Sequence, residues 1–193
     1  SWLGLPRVHA RHWDPFFQAC EETSTVLAMH IGSGTKTVTT SPDAPTVVAA
    51  NLIACNSVAS MVDWLFSGVF DRFPGIQLLY AESQIGWIPY FVERADDTWQ
   101  THQWAQGEER SQRPPSDYYR EHISACFFKD TVGIDLLDRI GEDNVLFETD
   151  YPHQDGTFPR SKQVAEELFG HLPQPTINKI ARGNAIKLLG LDF

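Results

Sequence analysis

Four short runs of apolar residues alternate with longer stretches of helical spacing, and this alternation limits the folds that the chain can adopt. The runs cover residues 25–31, 76–81, 123–128 and 145–149. They are largely continuous in their apolar character, which is typical of strands that are covered on both faces. Strands that alternate with helices favour βαβ units and a parallel sheet. The sequence therefore predicts an α/β fold.

The stretches around these strands predict helices, and the whole chain of 193 residues fits one domain with a sizeable core, residues 1–193. Asp14 and Pro15 mark the start of the first helix, and the last helical stretch is broken near Leu172 and Pro173. The predicted helices cover residues 13–22, 44–70, 88–103, 134–140 and 162–189, and the predicted loops cover residues 32–34 and 111–115.

Two architectures fit this order of elements, an open doubly wound sheet and a (β/α) barrel. Composition does not choose between them. Both place their active-site residues at the carboxyl ends of the strands. Polar residues at those ends are therefore the first candidates for chemistry, and three strands supply one each: His30, Glu82 and Asp150.

His30 ends the first strand, on the same face as Val26 and Ala28. Leu27 and Met29 lie on the other face. Small residues suit the interior of a barrel, so His30 would point into its mouth. The alternative is a buried histidine whose ring bonds a backbone carbonyl.

Asp150 follows the fourth strand and shares one strand face with Leu146 and Glu148. Two carboxylates on one face are costly to bury unless a cation or hydrogen-bond donors offset their charge. The alternative makes Asp150 a cap for the turn before Pro152. That role leaves Glu148 without an explanation.

Glu82 and His153 complete the candidate site. Glu82 follows the second strand, and its alternative role is an acid in the first turn of the next helix. His153 lies three residues after Asp150, where it could contact a substrate or orient Asp150. A histidine and carboxylates that converge on one rim suit a divalent metal such as zinc or manganese. Such a metal polarises a carbonyl or activates water, and Asp150 could also move a proton.

Charge and cysteine content exclude several classes of partner. The net charge of −10 and the lack of a basic stripe argue against nucleic acid. No uninterrupted apolar stretch approaches the ~18 residues of a membrane helix, and no signal peptide is visible. Cys20, Cys55 and Cys126 are too widely spaced for a disulfide framework or a zinc cluster, and Cys20 and Cys55 are expected to be buried. We expect a cytoplasmic protein with a small-molecule substrate.

The sequence around Asp150 resembles the closing motif of the amidohydrolase-related family. The relevant branch includes aminocarboxymuconate-semialdehyde decarboxylase and related aromatic-acid decarboxylases. The resemblance covers essentially the whole chain, and Asp150-Tyr151-Pro152-His153 is its most specific part. The segments that carry it are residues 140–153, 28–33, 68–74, 86–89, 184–185 and 188–190.

This resemblance implies a TIM-like (β/α)8 barrel and a mononuclear divalent metal, zinc first and manganese as the second choice. His30 matches the metal ligand on strand five, and Asp150 matches the metal-binding or proton-transferring residue on strand eight. Glu82 stands where the decarboxylases carry a catalytic histidine. The resemblance implies a hydrolase or a nonoxidative decarboxylase that acts on a small carboxylate or aromatic carbonyl compound. The catalytic residues would be Asp150, Glu82 and His153.

The family's metal motif on strand one, usually His-x-His, has no counterpart in this sequence. We therefore expect the chain to contain only about strands five to eight. It would be a fragment of a longer product, or would complete its barrel with another chain, as a homo-oligomer or with the missing N-terminal half. The alternative function is a non-catalytic half-barrel that serves as a binding or assembly module.

Overall fold

A four-stranded sheet organises the computed structural model, which describes residues 4–32, 38–107 and 111–192. The strands lie in chain order, and each is parallel to its neighbour. The predicted parallel α/β fold is thus confirmed, although each strand is one to three residues shorter than its apolar run. The strands are β1 (Leu27–His30), β2 (Leu78–Ala81), β3 (Ile123–Phe127) and β4 (Val145–Phe147).

Helices precede the first strand, lie between the strands and follow the last one. Most of them fall within the predicted helical stretches. Short 3₁₀ turns precede α1 and follow α5, and a π-helical turn at Lys179–Gly183 joins the last two helices. The helices are α1 (Asp14–Glu22), α2 (Thr46–Leu52), α3 (Ala54–Leu65), α4 (Val69–Arg72), α5 (Ile88–Thr101), α6 (Pro115–His122), α7 (Thr131–Asp135), α8 (Leu137–Ile140), α9 (Ser161–Phe169), α10 (Gln174–Asn178) and α11 (Asn184–Leu189).

The structure differs from the predicted elements in three places. Helix α6 was not predicted, and it begins at Pro115, inside the predicted loop. The helix predicted for residues 134–140 begins earlier, because the Asp130 side chain caps α7 by accepting from the Gly133 amide. The predicted helix 44–70 is interrupted at Ile53. The predicted loop 32–34 extends over residues 33 and 34, which lie outside the described residues.

The two faces of the sheet have different surroundings. One face packs against the helices and supplies core residues such as Tyr80, Ile123 and Phe127. The opposite face carries His30, Cys126 and Glu148, and we call it the site face. In β1 the side chains on the site face are exposed while their neighbours are half-buried. This alternation agrees with the predicted orientation of His30.

An aromatic stack fixes α6 against the end of α4. The His122 ring lies 4.4 Å from the Phe70 ring at an interplanar angle of 7°, and the Tyr118 ring lies 5.8 Å from Phe70 and 6.3 Å from His122. Nδ1 of His122 lies 2.9 Å from the Ile76 carbonyl oxygen and therefore donates to it. Burial lowers the pKa of His122 from its usual value, so the neutral ring is favoured in the folded protein.

The buried His122 is expected to make the protein less stable in mild acid. Its folded pKa lies below its unfolded pKa of about 6.5, so its contribution is complete above that pH and is lost as the pH falls. We expect the free energy of unfolding, measured in urea, to fall less between pH 7.5 and 5.5 in His122→Asn than in the wild type. Asparagine is chosen because it keeps a hydrogen-bond donor near the Ile76 carbonyl. Glu121, Arg113 and Asp71 act on the same ring. The exposed His171→Asn is the control, and equal pH slopes in His122→Asn and the wild type would contradict the prediction.

Residues Thr46–Leu65 form a stretch that is long and apolar enough to cross a membrane, by length and composition only. The same test is passed by helices that contribute to a soluble core. Here the stretch is divided into α2 and α3, and Met61, Trp64 and Leu65 of α3 are buried in the core. The expected lack of a membrane partner stays a prediction.

The three cysteines are all free. Cys20 and Cys126 are buried. Cys55 is exposed, so the expectation that it packs inside the protein was wrong. Cys55 lies on the side of its helix opposite the buried Ser57 and Trp64.

Candidate active site

The four predicted site residues meet at the carboxyl ends of the strands. Nε2 of His30 lies 2.8 Å from Oε1 of Glu82, and Nδ1 of His153 lies 2.7 Å from Oδ1 of Asp150. The two pairs are joined through Glu82, whose Oε1 lies 3.6 Å from Nδ1 of His153. Strands β1, β2 and β4 thus contribute to one cluster.

Three of these residues offer atoms that could surround a single cation. Ligand atoms of Glu82, Asp150 and His153 all lie within 4.8 Å of one another. His30 is outside this trio but contacts it through Glu82. The carboxylate side chains are only 15% and 6% exposed for Glu82 and Asp150, whereas the two histidines are 47% and 62% exposed. Carboxylates that are this well shielded favour a counter-charge, and the N/O donor set suits a divalent metal.

The tautomer of His30 leaves one nitrogen facing the cluster. Nδ1 lies 2.7 Å from the Ile31 carbonyl oxygen, so Nδ1 carries a proton and donates it. This hydrogen bond, followed by the charge of Glu82, raises the pKa of His30. Nε2 is therefore the atom that shares a proton with Glu82 or would bind a metal. Backbone carbonyls commonly fix metal-binding histidines in this way.

The two residues that carry the site carboxylates both have an unusual backbone conformation. Glu82 has a φ of 56° and Asp150 a φ of 52°, which places both in the left-handed region. Gln84, two residues after Glu82, has a φ of 55°. Residues other than glycine pay about 1–2 kcal/mol for this conformation, and it is concentrated at functional sites. The turns redirect the chain where β2 and β4 leave the sheet.

The turn after β2 is held by Asp130, which lies after β3. Its Oδ2 accepts from the amides of Ile85 and Gly86, at 2.7 Å each. Its Oδ1 accepts from the amide of Gly133 at 2.8 Å. A side chain at Gly133 would collide with Ile85, since an added Cβ would lie 2.3 Å from Cγ1. Asp130 was not identified from the sequence; a signal for it is its position just before a helix, typical of a cap.

The loop that carries Asp150 and His153 closes on itself. The Thr157 amide donates to the Thr149 carbonyl at 2.9 Å, and the His153 amide donates to the Asp150 carbonyl at 2.9 Å. Gly156 lies so close that an added Cβ would be 2.6 Å from the Asp150 carbonyl oxygen. The loop therefore needs a glycine at this position, and it keeps His153 beside Asp150.

Glu148 is a further acidic residue next to this cluster. Its Oε1 accepts from the Glu82 amide at 2.8 Å. Burial raises the pKa of Glu148 to about 7, and the charges of Glu82 and Asp150 contribute to the increase. The sequence indicated that Glu148 shares the face of Asp150, but it did not indicate which donor the carboxylate meets.

The family model described as amidohydrolase matches residues 1–191. The chain belongs to the amidohydrolase family. The family resemblance inferred from the motif around Asp150 is thus confirmed. The described site lies at the strand ends of a chain from this family, and its residue roles stay predictions.

Solved structures similar to this amidohydrolase include decarboxylases of aromatic acids. A dihydroxybenzoic acid decarboxylase from a Polaromonas species, solved with manganese and the inhibitor 2-nitroresorcinol, has a TM-score of 0.73 and 19% identity. A 5-carboxyvanillate decarboxylase from Sphingomonas paucimobilis has a TM-score of 0.74 and 18% identity. A 2,6-dihydroxybenzoate decarboxylase from Rhizobium has a TM-score of 0.73 and 20% identity. At these identities the likeness establishes the fold alone.

The amidohydrolase chain spans little more than half the length of these relatives. The matches cover 97%, 97% and 98% of this chain but 57%, 56% and 59% of the three decarboxylases.

Proposed function

We propose that this chain contributes to a metal-dependent enzyme that acts on a small aromatic carboxylate or a related carbonyl compound. One observation carries the proposal: ligand atoms of Glu82, Asp150 and His153 lie within 4.8 Å of one another at the strand ends. Strand carboxyl ends are where α/β enzymes hold their active sites. Nonoxidative decarboxylation is the first reaction to consider, because the similar solved structures include decarboxylases of aromatic acids. Hydrolysis is the second, because Glu82 stands where the family resemblance implies a catalytic histidine.

The proposed metal site uses His30 and Asp150 as ligands, as the family resemblance implies, and Glu82 and His153 offer further ligand atoms beside them. A divalent ion bound there would polarise a carboxylate or carbonyl oxygen of the substrate. Zinc suits the mixed nitrogen and oxygen donors, and manganese is bound in the Polaromonas decarboxylase. Both ions therefore belong in the first binding tests.

The proton-handling groups of the proposed site are two hydrogen-bonded pairs. Glu82 and His30 share a proton between atoms 2.8 Å apart, and Asp150 orients the His153 ring at 2.7 Å. Oε1 of Glu82 therefore lies where a proton can pass between it and Nε2 of His30. His153 is 62% exposed, so it can reach a substrate while Asp150 fixes its orientation.

We further propose that β1 to β4 correspond to about strands five to eight of a (β/α)8 barrel in a single domain, residues 1–193. Within the described residues, β1 and β4 are the two edges of the sheet, and both would pair with further strands in a closed barrel. Those strands would come from the same gene product or from another chain. The exposed side chains of Ala28 and His30 on the site face agree with this arrangement.

A cytoplasmic location and a homo-oligomeric state remain proposals as well. The cytoplasm agrees with three free cysteines. The rival proposal of a non-catalytic half-barrel is less well supported, because four side chains that suit a metal site are kept together. It would require the cluster to catalyse no reaction.

Metal binding by the purified chain tests the proposed function. We expect about one Mn²⁺ or Zn²⁺ per chain by ICP mass spectrometry after metal incubation and desalting, as for a single structural or catalytic site. His30→Ala should lower this content, and His171→Ala is the control, because His171 is exposed in the connection between α9 and α10. CO2 release from dihydroxybenzoates then separates a decarboxylase from a hydrolase. A chain that binds neither Mn²⁺ nor Zn²⁺ would contradict the proposal.

A further inference from the structure

The Glu148 side chain links the ends of two strands that are not neighbours. Glu148 follows β4, and its amide donates to the Phe127 carbonyl of β3 at 2.9 Å. Its carboxylate extends across the site face, over β3, to the backbone amide of Glu82 just after β2. The sheet order β2-β3-β4 makes this a span of one full strand.

The Glu148 carboxylate has a second polar partner besides the Glu82 amide. The thiol of Cys126, on β3 beneath the span, hydrogen-bonds to the Glu148 carboxylate. Cys126 pairs with Leu146 in the sheet. Glu148 comes two residues after Leu146, so Cys126 and Glu148 lie on the same face. Glu148 is therefore fixed at its backbone by β3 and at its carboxylate by two donors. The Glu82 donor is a backbone amide, and the Cys126 thiol lies outside the group of side chains that could hold the metal.

The Glu148 carboxylate accepts a hydrogen bond from a residue, Glu82, whose backbone is strained. Glu82 has a φ of 56°, and its amide has left the β2 ladder. The same residue directs Oε1 to His30 at 2.8 Å and towards His153 at 3.6 Å. A residue with this conformation keeps it only when its surroundings hold it. The Glu148 hydrogen bond acts directly on the backbone unit from which the Glu82 carboxylate projects.

We propose that Glu148 is a positioning residue that holds the Glu82 backbone so that the Glu82 carboxylate meets His30 and the Asp150–His153 pair. The inference rests on the proposed function for its significance, because it assigns Glu82 to the same metal-dependent site. Glu148 acts through its acceptor oxygen. Its net charge and its volume are secondary.

Two variants separate these properties. Glu148→Gln keeps an oxygen that can accept from the Glu82 amide but removes the charge. Glu148→Met keeps a similar length and volume but removes the acceptor. Glu93→Met is the matched control, because it removes an exposed carboxylate from the solvent side of α5. A purely electrostatic role would make Gln and Met equally harmful.

The direct readout is the His30 ring in the metal-free chain, observed by ¹H–¹⁵N NMR of the imidazole nitrogens. Glu82→Ala defines the signal of His30 without its partner. We expect Glu148→Met to move the Nε2 signal at least half of the way to that reference. Glu148→Gln and Glu93→Met should stay close to the wild type. An unchanged His30 signal in Glu148→Met, or an equal shift in Glu148→Gln, would overturn the inference.

Metal titration distinguishes failure of this inference from failure of the proposed function. By calorimetry, Glu148→Met should weaken Mn²⁺ binding about 10–100-fold, the usual loss for a partner behind a metal site, and Glu148→Gln by less than about threefold. In a Glu82→Ala background the Met substitution should have little further effect. A wild type that binds Mn²⁺ no more tightly than Glu148→Met overturns the inference alone. A wild type that binds no metal overturns the proposed function, while the NMR result still decides the role of Glu148.

Discussion

Asp150→Asn is expected to weaken Mn²⁺ or Zn²⁺ binding by at least about 100-fold, since even partners behind metal ligands lose about 10–100-fold when they are replaced. The side chain of Asp150 is only 6% exposed, so its charge is poorly screened by water. It also accepts from His153 at 2.7 Å. An asparagine keeps the shape of the side chain but removes the charge that attracts the cation. The measurement is calorimetric titration of the metal-free chain with each ion.

The same substitution should lower the turnover of any identified substrate by about 100-fold or more, because the Asp150–His153 pair is the best-oriented proton carrier of the site. Asp155→Asn is the matched control: Asp155 lies in the same loop, is exposed, and meets Lys129 only through its backbone carbonyl. It should keep the metal affinity of the wild type. An Asp150→Asn chain that binds metal as tightly as Asp155→Asn would remove Asp150 from the proposed ligands.

The strands and their parallel arrangement were predictable because buried parallel strands have a strong sequence signal. The run at residues 123–128 became β3 with all five of its residues buried. Helix α6 was missed for the opposite reason. Its sequence is mostly polar, and only Tyr118 and Tyr119 mark its buried side clearly. Helices whose core contacts come from amphipathic aromatic residues have weak apolar periodicity.

The proximity of the four candidate residues was predictable, but the pairs that they form were not. Polar residues at strand ends identified His30, Glu82, Asp150 and His153, and the structure brings them together. Which histidine meets which carboxylate depends on the left-handed conformations of Glu82 and Asp150. Glutamate has no preference for this conformation, so the sequence does not indicate it at Glu82, where a contact from a distant part of the chain supports it.

The contacts that hold the turn at Glu82 come from residues that follow two other strands, β3 and β4. Glu148 accepts from the amide of Glu82, and Asp130 accepts from those of Ile85 and Gly86. These residues are 66 and about 45 positions away from their partners in the chain. Local patterns extend over a few residues, so they carry no information on such pairs. The sequence indicated only that Glu148 needed an explanation.

Asp130→Ala is expected to lower the free energy of unfolding by about 3 kcal/mol, the combined effect of a lost helix cap and unsatisfied buried amides. Three amides lose their acceptor at once, those of Ile85, Gly86 and Gly133. Ile85 and Gly133 are buried, so water cannot easily replace the carboxylate. Asp130→Asn should lose about half as much, because one of its two oxygens remains. Urea unfolding followed by tryptophan fluorescence measures both changes.

The exposed Asp135→Ala, at the end of the same helix, should change stability by less than about 0.5 kcal/mol. Asp130 also fixes the segment that begins three residues after Glu82, so its loss should loosen the site as well as the fold. Metal affinity measured well below the unfolding transition should therefore fall in Asp130→Ala and stay unchanged in Asp135→Ala. If Asp130→Ala were as stable as Asp135→Ala, water would have to reach the Ile85 and Gly133 amides, and the turn after β2 would not depend on β3. The Glu82 conformation would then rest on Glu148 alone.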